Sequence, residues 1–299
     1  MPPVLIDTDP GIDDALALLL AWGSPELSVQ AITTVAGNVP LDTATANLIR
    51  LVALRRPAPM PRMGVGAAQP LVRPLVTAVR YHGADGLGDL TDWPPVASAA
   101  AGRATDLIRE VGLRPEAWVL IALGPLTNLA EALALDFEAL GRFERVVIMG
   151  GAVDVPGNVT SAAEFNFHVD PDAVARVLAS GARLDLVPLD ATRQAVVERT
   201  ALLSALAANP GPLADKIAAF TERGFRIDAG RGERGMILHD PLAVGVAVDA
   251  TLVDWEPVRL EVGPNGETRR RRGAPNCRIA GRVDATRFLR VFLERLCPR

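Results

Sequence analysis

The sequence predicts a single α/β domain with a mostly parallel central sheet flanked by helices. Three observations support this prediction. Short runs of consecutive apolar residues recur along the 299-residue chain, as in strands that are buried on both faces of a sheet. Segments of helical length separate these runs, as in repeated strand–helix–strand units. We find no internal repeat and no low-complexity linker, so one domain over residues 1–299 is expected.

The alternation of predicted elements starts at the N-terminus. An apolar run at 4–6 ends in a turn and is predicted to be a buried strand, and 12–22 is apolar nearly all round, as in a buried helix. The run at 29–34 is a second strand, and 41–56 has the pattern of an amphipathic helix. Residues 57–98 are rich in proline and glycine and are expected to be mostly loop.

The same alternation continues to the C-terminus. Gly124 and Pro125 are expected to begin a helix, because proline suits the first helical turn. Asp170 is a plausible N-cap for a helix with Pro171 at its first position. The further predicted strands are 118–123, 146–149, 184–189 and 252–262, and the further predicted helices are 101–112, 170–180, 200–208, 212–225, 240–248 and 284–296.

Charge and composition limit the classes of partner. The formal net charge is −4, with acids and bases mixed along the chain. The basic run Arg269–Arg272 is short and is expected to be a solvated loop, so no nucleic-acid partner is predicted. Lys216 is the only lysine. The two cysteines, Cys277 and Cys297, have no metal-ligand spacing and form no disulfide framework.

Targeting and membrane signals are also missing from the sequence. The N-terminus lacks a basic segment followed by an apolar one, so no signal peptide is predicted. The longest apolar run, 15–22, is far shorter than the roughly 20 residues that a membrane-spanning helix needs. We therefore expect a cytoplasmic protein with no membrane partner.

Four carboxylates lie within eight residues at the first turn: Asp7, Asp9, Asp13 and Asp14. Helix capping and the helix dipole account for one or two of them, but four unpaired carboxylates beside apolar segments are costly. A hard cation, calcium or magnesium, explains the set better, because both prefer oxygen ligands. The lack of a Cys/His cluster disfavours zinc.

Polar or glycine residues follow several predicted strands, namely Asp9, Asn38, Gly124, Gly150 and Asp190. In parallel sheets, ligands bind beyond the carboxyl ends of the strands. The sequence therefore predicts a site built from several loops at one edge of the sheet.

The segment Asp7-Thr8-Asp9-Pro10-Gly11-Ile12-Asp13-Asp14-Ala15 resembles the signature of the inosine–uridine-preferring nucleoside hydrolase family. The likeness continues in order along most of the chain, although Ala36 stands where a glycine is usual. The further similar segments are 34–39, 82–88, 124–128, 149–151, 157–160, 163–166 and 239–243. The resemblance implies calcium-dependent hydrolysis of the N-glycosidic bond of ribonucleosides, giving ribose and a free nucleobase.

The resemblance also implies a calcium site. Its ligands would be Asp9, Asp14, Asp240 and a backbone carbonyl, that of Leu123, with the ribose hydroxyls and the attacking water completing the shell. Asp9 is in addition the expected general base, because a carboxylate within hydrogen-bond reach can take a proton from that water.

The remaining roles follow from the same resemblance. Side chains expected to grip the ribose hydroxyls are Asp13, Asn38, Asn158, Glu164 and Asn166, with Met149 lining the sugar pocket and Asp7 supporting the acids. His82 and His239 are the candidates for protonating the departing base, and His168 is expected to be structural. The segment 220–236 is expected to cover the base. A homodimer or homotetramer is expected.

Two alternatives stay open. A magnesium-dependent aspartyl-phosphate phosphohydrolase also begins with a strand ending in Asp-x-Asp, but it uses a hydroxyl or small apolar residue where Gly11 stands, and a lysine on the phosphate. A non-catalytic nucleoside- or sugar-binding protein on the same fold would be expected to lack Asp9 or Asp240, and both are present. The preference for purine or pyrimidine bases is not predicted.

Overall fold

A computed structural model of the chain describes residues 1–93, 96 and 102–297. Its main feature is a ten-stranded sheet in the order β11-β10-β12-β7-β6-β5-β1-β2-β3-β4. The ten strands are β1 (Pro3–Thr8), β2 (Ser28–Thr34), β3 (Arg62–Val65), β4 (Gly102–Arg103), β5 (Val119–Ala122), β6 (Arg145–Met149), β7 (Leu184–Val187), β10 (Val253–Val262), β11 (Thr268–Arg271) and β12 (Cys277–Val283). A separate pair consists of β8 (Val196–Val197) and β9 (Met236–Ile237).

Helices occupy both faces of the sheet. They are α1 (Ile12–Trp22), α2 (Leu41–Arg55), α3 (Val79–His82), α4 (Ala104–Gly112), α5 (Thr127–Leu135), α6 (Phe165–Val169), α7 (Pro171–Leu178), α8 (Leu189–Thr192), α9 (Arg199–Ala207), α10 (Pro212–Gly230), α11 (His239–Val248) and α12 (Ala285–Arg295). Along β1 the side chains alternate, so Val4 and Ile6 join the core under α1 and α11, while Leu5 joins the core under α5 and α7. Strand β1 is continuously apolar because both of its faces are buried, as predicted.

The predicted fold class is confirmed. Strand β1 pairs in parallel with β2 and β5, and the parallel arrangement continues outward to β4 and to β12. Only β10 pairs antiparallel in this sheet, with β12 and β11, among the residues described. The carboxyl ends of the parallel strands therefore meet along one edge, which carries the turns with the predicted site residues.

Several predicted boundaries are wrong. Strand β7 ends at Val187 rather than at residue 189, because Pro188 offers no N–H to the ladder and α8 begins directly after it. Helix α5 begins at Thr127, two residues after Pro125, since the one residue between them, Leu126, lies in a turn. Helix α10 continues past residue 225 to Gly230, where its last turns pack against the segment around α3.

The prediction that Arg269–Arg272 form a loop is also wrong for most of the run. Three of the four arginines lie in β11 at the edge of the sheet. Arg270 pairs with Asp154 and Glu256, and Arg271 pairs with Glu261 across the ladder, so opposite charges stabilise the hairpin.

Other differences concern short elements. The stretch predicted as mostly loop, 57–98, contains β3 and α3, and its residues 94, 95, 97 and 98 lie outside the described part of the chain. The helix predicted at 101–112 is α4, and residue 101 lies outside the described part as well. Strand β12 was not predicted. Among the described residues, no helix is both long and apolar enough to span a membrane.

Candidate active site

A cavity of about 130 Å³ opens at the carboxyl edge of the sheet. It lies where the turns after β1, β2, β5 and β6 approach the first residues of α11. Its lining consists of Asp13, Asn38, Ala78, Tyr81, His82, Leu123, Met149, Asn158, Val159, Glu164, Phe165, Asn166, Arg231, His239 and Asp240. Ten of the twelve predicted site residues belong to this set, and the other two, Asp9 and Asp14, are fully buried next to it.

The turn between β1 and α1 is shaped by close packing at Gly11. A Cβ at this position would lie 2.5 Å from Nδ1 of His82 and 2.9 Å from Nδ2 of Asn38. The backbone N–H of Gly11 donates to Oδ2 of Asp14 at 2.9 Å, so Asp14 caps its own helix from the third position. Capping is thus done by one carboxylate of the cluster, and neither Asp7 nor Asp9 is needed for it.

Asp14 is surrounded by hydrogen-bond donors. Oδ1 accepts from the Thr8 hydroxyl at 2.5 Å, and Oδ2 accepts from the Asn38 side-chain amide at 2.8 Å as well as from Gly11. These donors come from three different segments and fix the orientation of the Asp14 carboxylate.

Asp9 is held differently. Its Oδ2 accepts from the backbone N–H of Asn38 at 2.6 Å, whereas its buried Oδ1 has no hydrogen-bond partner in the part of the chain that the structure describes. A Cβ on Gly124 would lie 2.5 Å from that same oxygen, so glycine is required for the turn after β5 to pass this close. Burial and the charge of Asp14 raise the pKa of Asp9 well above its usual range.

Asp13, Asp14 and Asp240 place one carboxylate oxygen each within 4.8 Å of one another. Two unit charges at that separation repel by roughly 3.5 kcal/mol at an effective dielectric constant of about 20. Three ionised pairs would then cost about as much as the whole stability of a typical domain, roughly 5–15 kcal/mol. Without a cation the cluster must hold protons: burial and Asp14 raise the pKa of Asp13 to about 8, and burial with Asp13 and Asp14 raises that of Asp240.

The donor set fits a hard divalent cation. All candidate ligand atoms are oxygens, and Oδ1 of Asp9 is a buried acceptor with no described partner. The carbonyl of Leu123 is oriented by the side-chain amide of Asn166, which donates to it at 2.6 Å. Two of the predicted carboxylate ligands, Asp14 and Asp240, thus lie close together, and the third member of their group is Asp13 rather than Asp9.

The residues predicted to contact the sugar converge from five segments. They all line the cavity, and they are Asp13, Asn38, Met149, Asn158, Glu164 and Asn166. Glu164 also serves as N-cap of α6, since it accepts from the backbone N–H groups of Asn166 at 2.8 Å and Phe167 at 3.1 Å. Its carboxylate is thus fixed before any ligand binds.

Both candidate histidines, His82 and His239, line the cavity. Nδ1 of His82 accepts from the backbone N–H of Ile12 at 3.0 Å, so the neutral ring carries its proton on Nε2. Nδ1 of His239 is 2.8 Å from the Thr192 hydroxyl. Burial lowers the pKa of each to about 4, and for His239 the charges of Arg193 and Arg231 add to the effect.

Two further lining residues, Tyr81 and Arg231, were not among the predicted site residues. Tyr81 donates to Oδ2 of Asp228 at 2.9 Å, and the Arg231 guanidinium lies 5.4 Å from the centre of the Tyr81 ring. Signals were available for both, because Tyr81 is the only tyrosine and precedes His82, and Arg231 lies in the segment expected to cover the base. Asp228, buried behind Tyr81, has no sequence signal beyond its i,i+3 spacing to Arg231.

Some conspicuous residues do not line the cavity. Asp7 lies in β1 and accepts from Thr33 and, at 2.7 Å, from Asn128, in keeping with a supporting role. Asp190 accepts from two backbone N–H groups of the 153–154 turn. His168 binds the Asn265 carbonyl at 2.8 Å, as expected of a structural residue. Lys216 pairs with Asp92 instead of facing the acids, which disfavours the phosphohydrolase alternative.

The sequence profile described as inosine-uridine preferring nucleoside hydrolase matches residues 4–290. The chain belongs to this family. The match confirms the expected enzyme class, a hydrolase that cleaves the N-glycosidic bond of nucleosides. It does not favour the alternative of a non-catalytic binding protein.

Curated and solved relatives agree with the family. The pyrimidine-specific ribonucleoside hydrolase RihA of Salmonella arizonae is 34% identical over 309 residues, which cover 98% of both chains. The plant nucleoside hydrolase PpNRh1 superposes with a TM-score of 0.93 at 30% identity, over 100% of this chain and 99% of that one. A purine-preferring ribonucleoside hydrolase from Gardnerella vaginalis gives a TM-score of 0.91 at 30% identity, over 99% and 98%.

Proposed function

We propose that this nucleoside hydrolase is calcium-dependent and cleaves ribonucleosides to ribose and a free nucleobase. The observation that carries the proposal is the buried Oδ1 of Asp9, without a described partner, beside the close group of Asp13, Asp14 and Asp240. No ion pair among the described residues offers these carboxylates a lysine or arginine. An oxygen-only site with this much negative charge suits calcium, which takes six to eight oxygen ligands.

Asp9, Asp14, Asp240 and the Leu123 carbonyl would hold the ion. When bound, calcium supplies the positive charge that lets the clustered carboxylates ionise together and makes a neighbouring water easier to deprotonate. Asn166 keeps the Leu123 carbonyl in place, and Asn38 holds Asp9 by its backbone N–H and Asp14 by its side-chain amide.

Asp9 is proposed as the general base. Its Oδ2 is fixed by Asn38, which leaves Oδ1 free to accept a proton from the attacking water. The hydroxyl of that water bonds to C1′ of the ribose, and the electron pair of the C1′–N bond moves to the base. The proton removed from the water balances the charge that the departing base acquires.

The sugar would lie against Asp13, Asn38, Asn158, Glu164 and Asn166, with Met149 beneath it. Amides and carboxylates suit hydroxyl groups, which both donate and accept hydrogen bonds. The carboxylates also stabilise the positive charge that develops on the ribosyl group as the bond breaks. His82 and His239 then face the base, where each neutral ring can offer an N–H group.

The direct test is a panel of ribonucleosides scored for free ribose, before and after chelation and after adding back calcium or magnesium. We expect chelation to abolish ribose release and calcium to restore it more fully than magnesium. Full activity after exhaustive chelation would contradict the metal requirement, and restoration by magnesium alone would contradict calcium. Ribose from none of the nucleosides would contradict the substrate class.

The resemblance also leads us to propose a homodimer or homotetramer in the cytoplasm, with a role in nucleoside salvage. Light scattering coupled to size-exclusion chromatography tests the first proposal, and cell fractionation tests the second. Growth on a nucleoside as the source of base or ribose, with and without the gene, tests the third.

A further inference from the structure

Arg223 joins helix α10 to the segment that carries His82. Its Nε donates to the carbonyl of Tyr81 at 2.9 Å, and its Nη2 donates to the carbonyl of Arg80 at 3.1 Å. Its Nη1 pairs with Oδ2 of Asp89 at 2.7 Å. All three nitrogens of the guanidinium thus hold the chain around α3, and the side chain is only 22% exposed.

Helix α3 needs such contacts because it is a single turn of four residues. One turn fixes several backbone dihedrals for very few internal hydrogen bonds, and the carbonyls at its end lack partners within the helix. The Val79 carbonyl accepts from the N–H of Gly83 at 2.9 Å, and the His82 carbonyl accepts from that of Gly88 at 2.8 Å. Arg223 supplies donors for the two carbonyls between them, and its charge suits the negative end of the helix.

Asp89 holds Arg223 from the other side and shapes the turn that leaves α3. Its Oδ1 accepts from the backbone N–H of Ala84 at 2.6 Å. A Cβ on Gly83, which has φ +91°, would lie 2.7 Å from the same oxygen. Exposed ion pairs contribute little on their own, but this pair belongs to a network that closes the turn.

His82 is the cavity residue that this network places. It is buried, and its Nδ1 accepts from the backbone N–H of Ile12, at the start of α1, at 3.0 Å. Because that contact joins segments distant in the chain, it depends on where α3 lies. Tyr81, whose carbonyl Arg223 holds, lies edge-on to the His82 ring with the centroids 4.9 Å apart. Arg223 does not itself line the cavity, so any influence on the reaction must pass through the residues it holds.

We propose that Arg223 is a positioning residue for the reaction. By holding the end of α3 and pairing with Asp89, it keeps the His82 ring against Ile12, in the orientation from which His82 assists the departing base. The inference rests on the proposed ribonucleoside hydrolysis and adds a residue outside the cavity on which that step depends.

Rates on two substrates test whether Arg223 acts on the departure of the base. The substrates are the best ribonucleoside and a nitrophenyl riboside, whose leaving group departs without a proton. Since a misplacement of about 1 Å can cost about 10²-fold in rate, we expect Arg223→Met to lower kcat on the ribonucleoside by roughly 10- to 100-fold. KM should change little, and the nitrophenyl riboside should be affected much less. Arg226→Met removes an exposed arginine from the same helix and, as the matched control, should leave both rates unchanged.

A double-mutant cycle tests whether the effect passes through His82. If Arg223 acts by placing that ring, Arg223→Met should have almost no further effect in a protein that already carries His82→Ala. An equal fall in both backgrounds would overturn the inference, because independent sites have additive effects on free energy.

Two milder variants keep the test decisive if Arg223→Met folds poorly. Arg223→Lys keeps the charge but loses the planar fork, so it should retain the ribonucleoside rate only in part. Asp89→Asn weakens the pair with Arg223, while asparagine tolerates the φ of +63° at this position, and it should lower that rate by less than Arg223→Met does. The inference is overturned if these variants slow both substrates equally or slow neither.

The histidine rings give a readout that does not require activity. The chain has three histidines, so nitrogen-15 spectra of the rings contain three sets of signals, and His82→Ala identifies one of them. We expect Arg223→Met and Asp89→Asn to shift the His82 signals and to leave those of His168 in place, whereas unshifted His82 signals would overturn the inference. Failure of the unaltered protein to hydrolyse any nucleoside contradicts the proposed function instead, and the spectra still show whether Arg223 places His82.

Discussion

The backbone N–H of Asn38 donates to Oδ2 of Asp9 at 2.6 Å and leaves Oδ1 of that carboxylate as a buried acceptor with no described partner. The contact joins the turn after β2 to the turn after β1, so it depends on the parallel pairing of these two strands. One oxygen of Asp9 is fixed, and the other lies beside Gly124 in the turn after β5. This asymmetry suits a carboxylate that must both face a cation and accept a proton.

Replacement of Asp9 by asparagine should remove the proposed general base while keeping the shape of the side chain. General acid–base catalysis typically contributes 10²- to 10⁴-fold, so we expect kcat to fall by about that factor. Initial rates on the best ribonucleoside measure it, with Asp254→Asn as a control because Asp254 is exposed on β10. Activity close to that of the unaltered protein, with calcium bound, would exclude this role for Asp9.

The stability of the metal-free protein should fall as the pH rises from about 6.5 to about 8. Burial raises the pKa of Asp7 to about 7, and burial with Asp14 raises that of Asp13 to about 8, from an ordinary value of 3.8. The folded protein then retains protons that the unfolded chain releases, so rising pH favours unfolding. The lowered pKa values of His82 and His239 act in the opposite direction, but only below their ordinary value of 6.5.

Calcium should weaken this pH dependence, because a bound cation favours the ionised carboxylates. Calorimetric Tm values at pH 6.5 and pH 8, with chelator and with excess calcium, provide the measurement. We expect a larger decrease in Tm with chelator than with calcium. Equal slopes under the two conditions would show that the cluster does not bind the ion.

Ribonucleosides should be strongly preferred over 2′-deoxynucleosides. Asn38, Asn166 and Glu164 are buried and face the cavity, so a missing hydroxyl would leave polar groups without a partner. Sites built to hydrogen-bond a hydroxyl can reject the analogue that lacks it by about 10⁴-fold. The kcat/KM values of matched ribo- and deoxyribonucleosides test this, and equal values would contradict the proposed sugar contacts.

His239→Ala should lower kcat on natural nucleosides by roughly 10²- to 10⁴-fold, the usual range for assistance to a leaving group. Its ring has a lowered pKa and is neutral near pH 7, so donation to the base must come from an N–H group or be supported by bound substrate. A nitrophenyl riboside departs without a proton and should be affected much less. If both substrates slow equally, His239 instead orients Asp240 or the fold.

Much of the fold and part of the site could be predicted from local patterns. The apolar run of β1, the acids that follow it and the helix α1 are neighbours in sequence, and the chemistry of the turn is carried by those residues themselves. The same holds for Asp170, which caps α7 as predicted by accepting from Ala173 at 3.0 Å. The predicted end of β7 was wrong because Pro188 ends the strand at Val187.

The rest depends on contacts between distant segments. The sequence by itself determined the α/β class, the acid cluster and the family, because strand and helix periodicity and turn residues act over a few positions. Only the tertiary structure placed Asp240 within 4.8 Å of Asp14, and only it joined Tyr81 to Asp228 and Arg231 beside the cavity. These contacts arise because parallel strands bring their carboxyl ends to one edge while α10 and α11 pack over it, and a local pattern does not specify which side chains then meet.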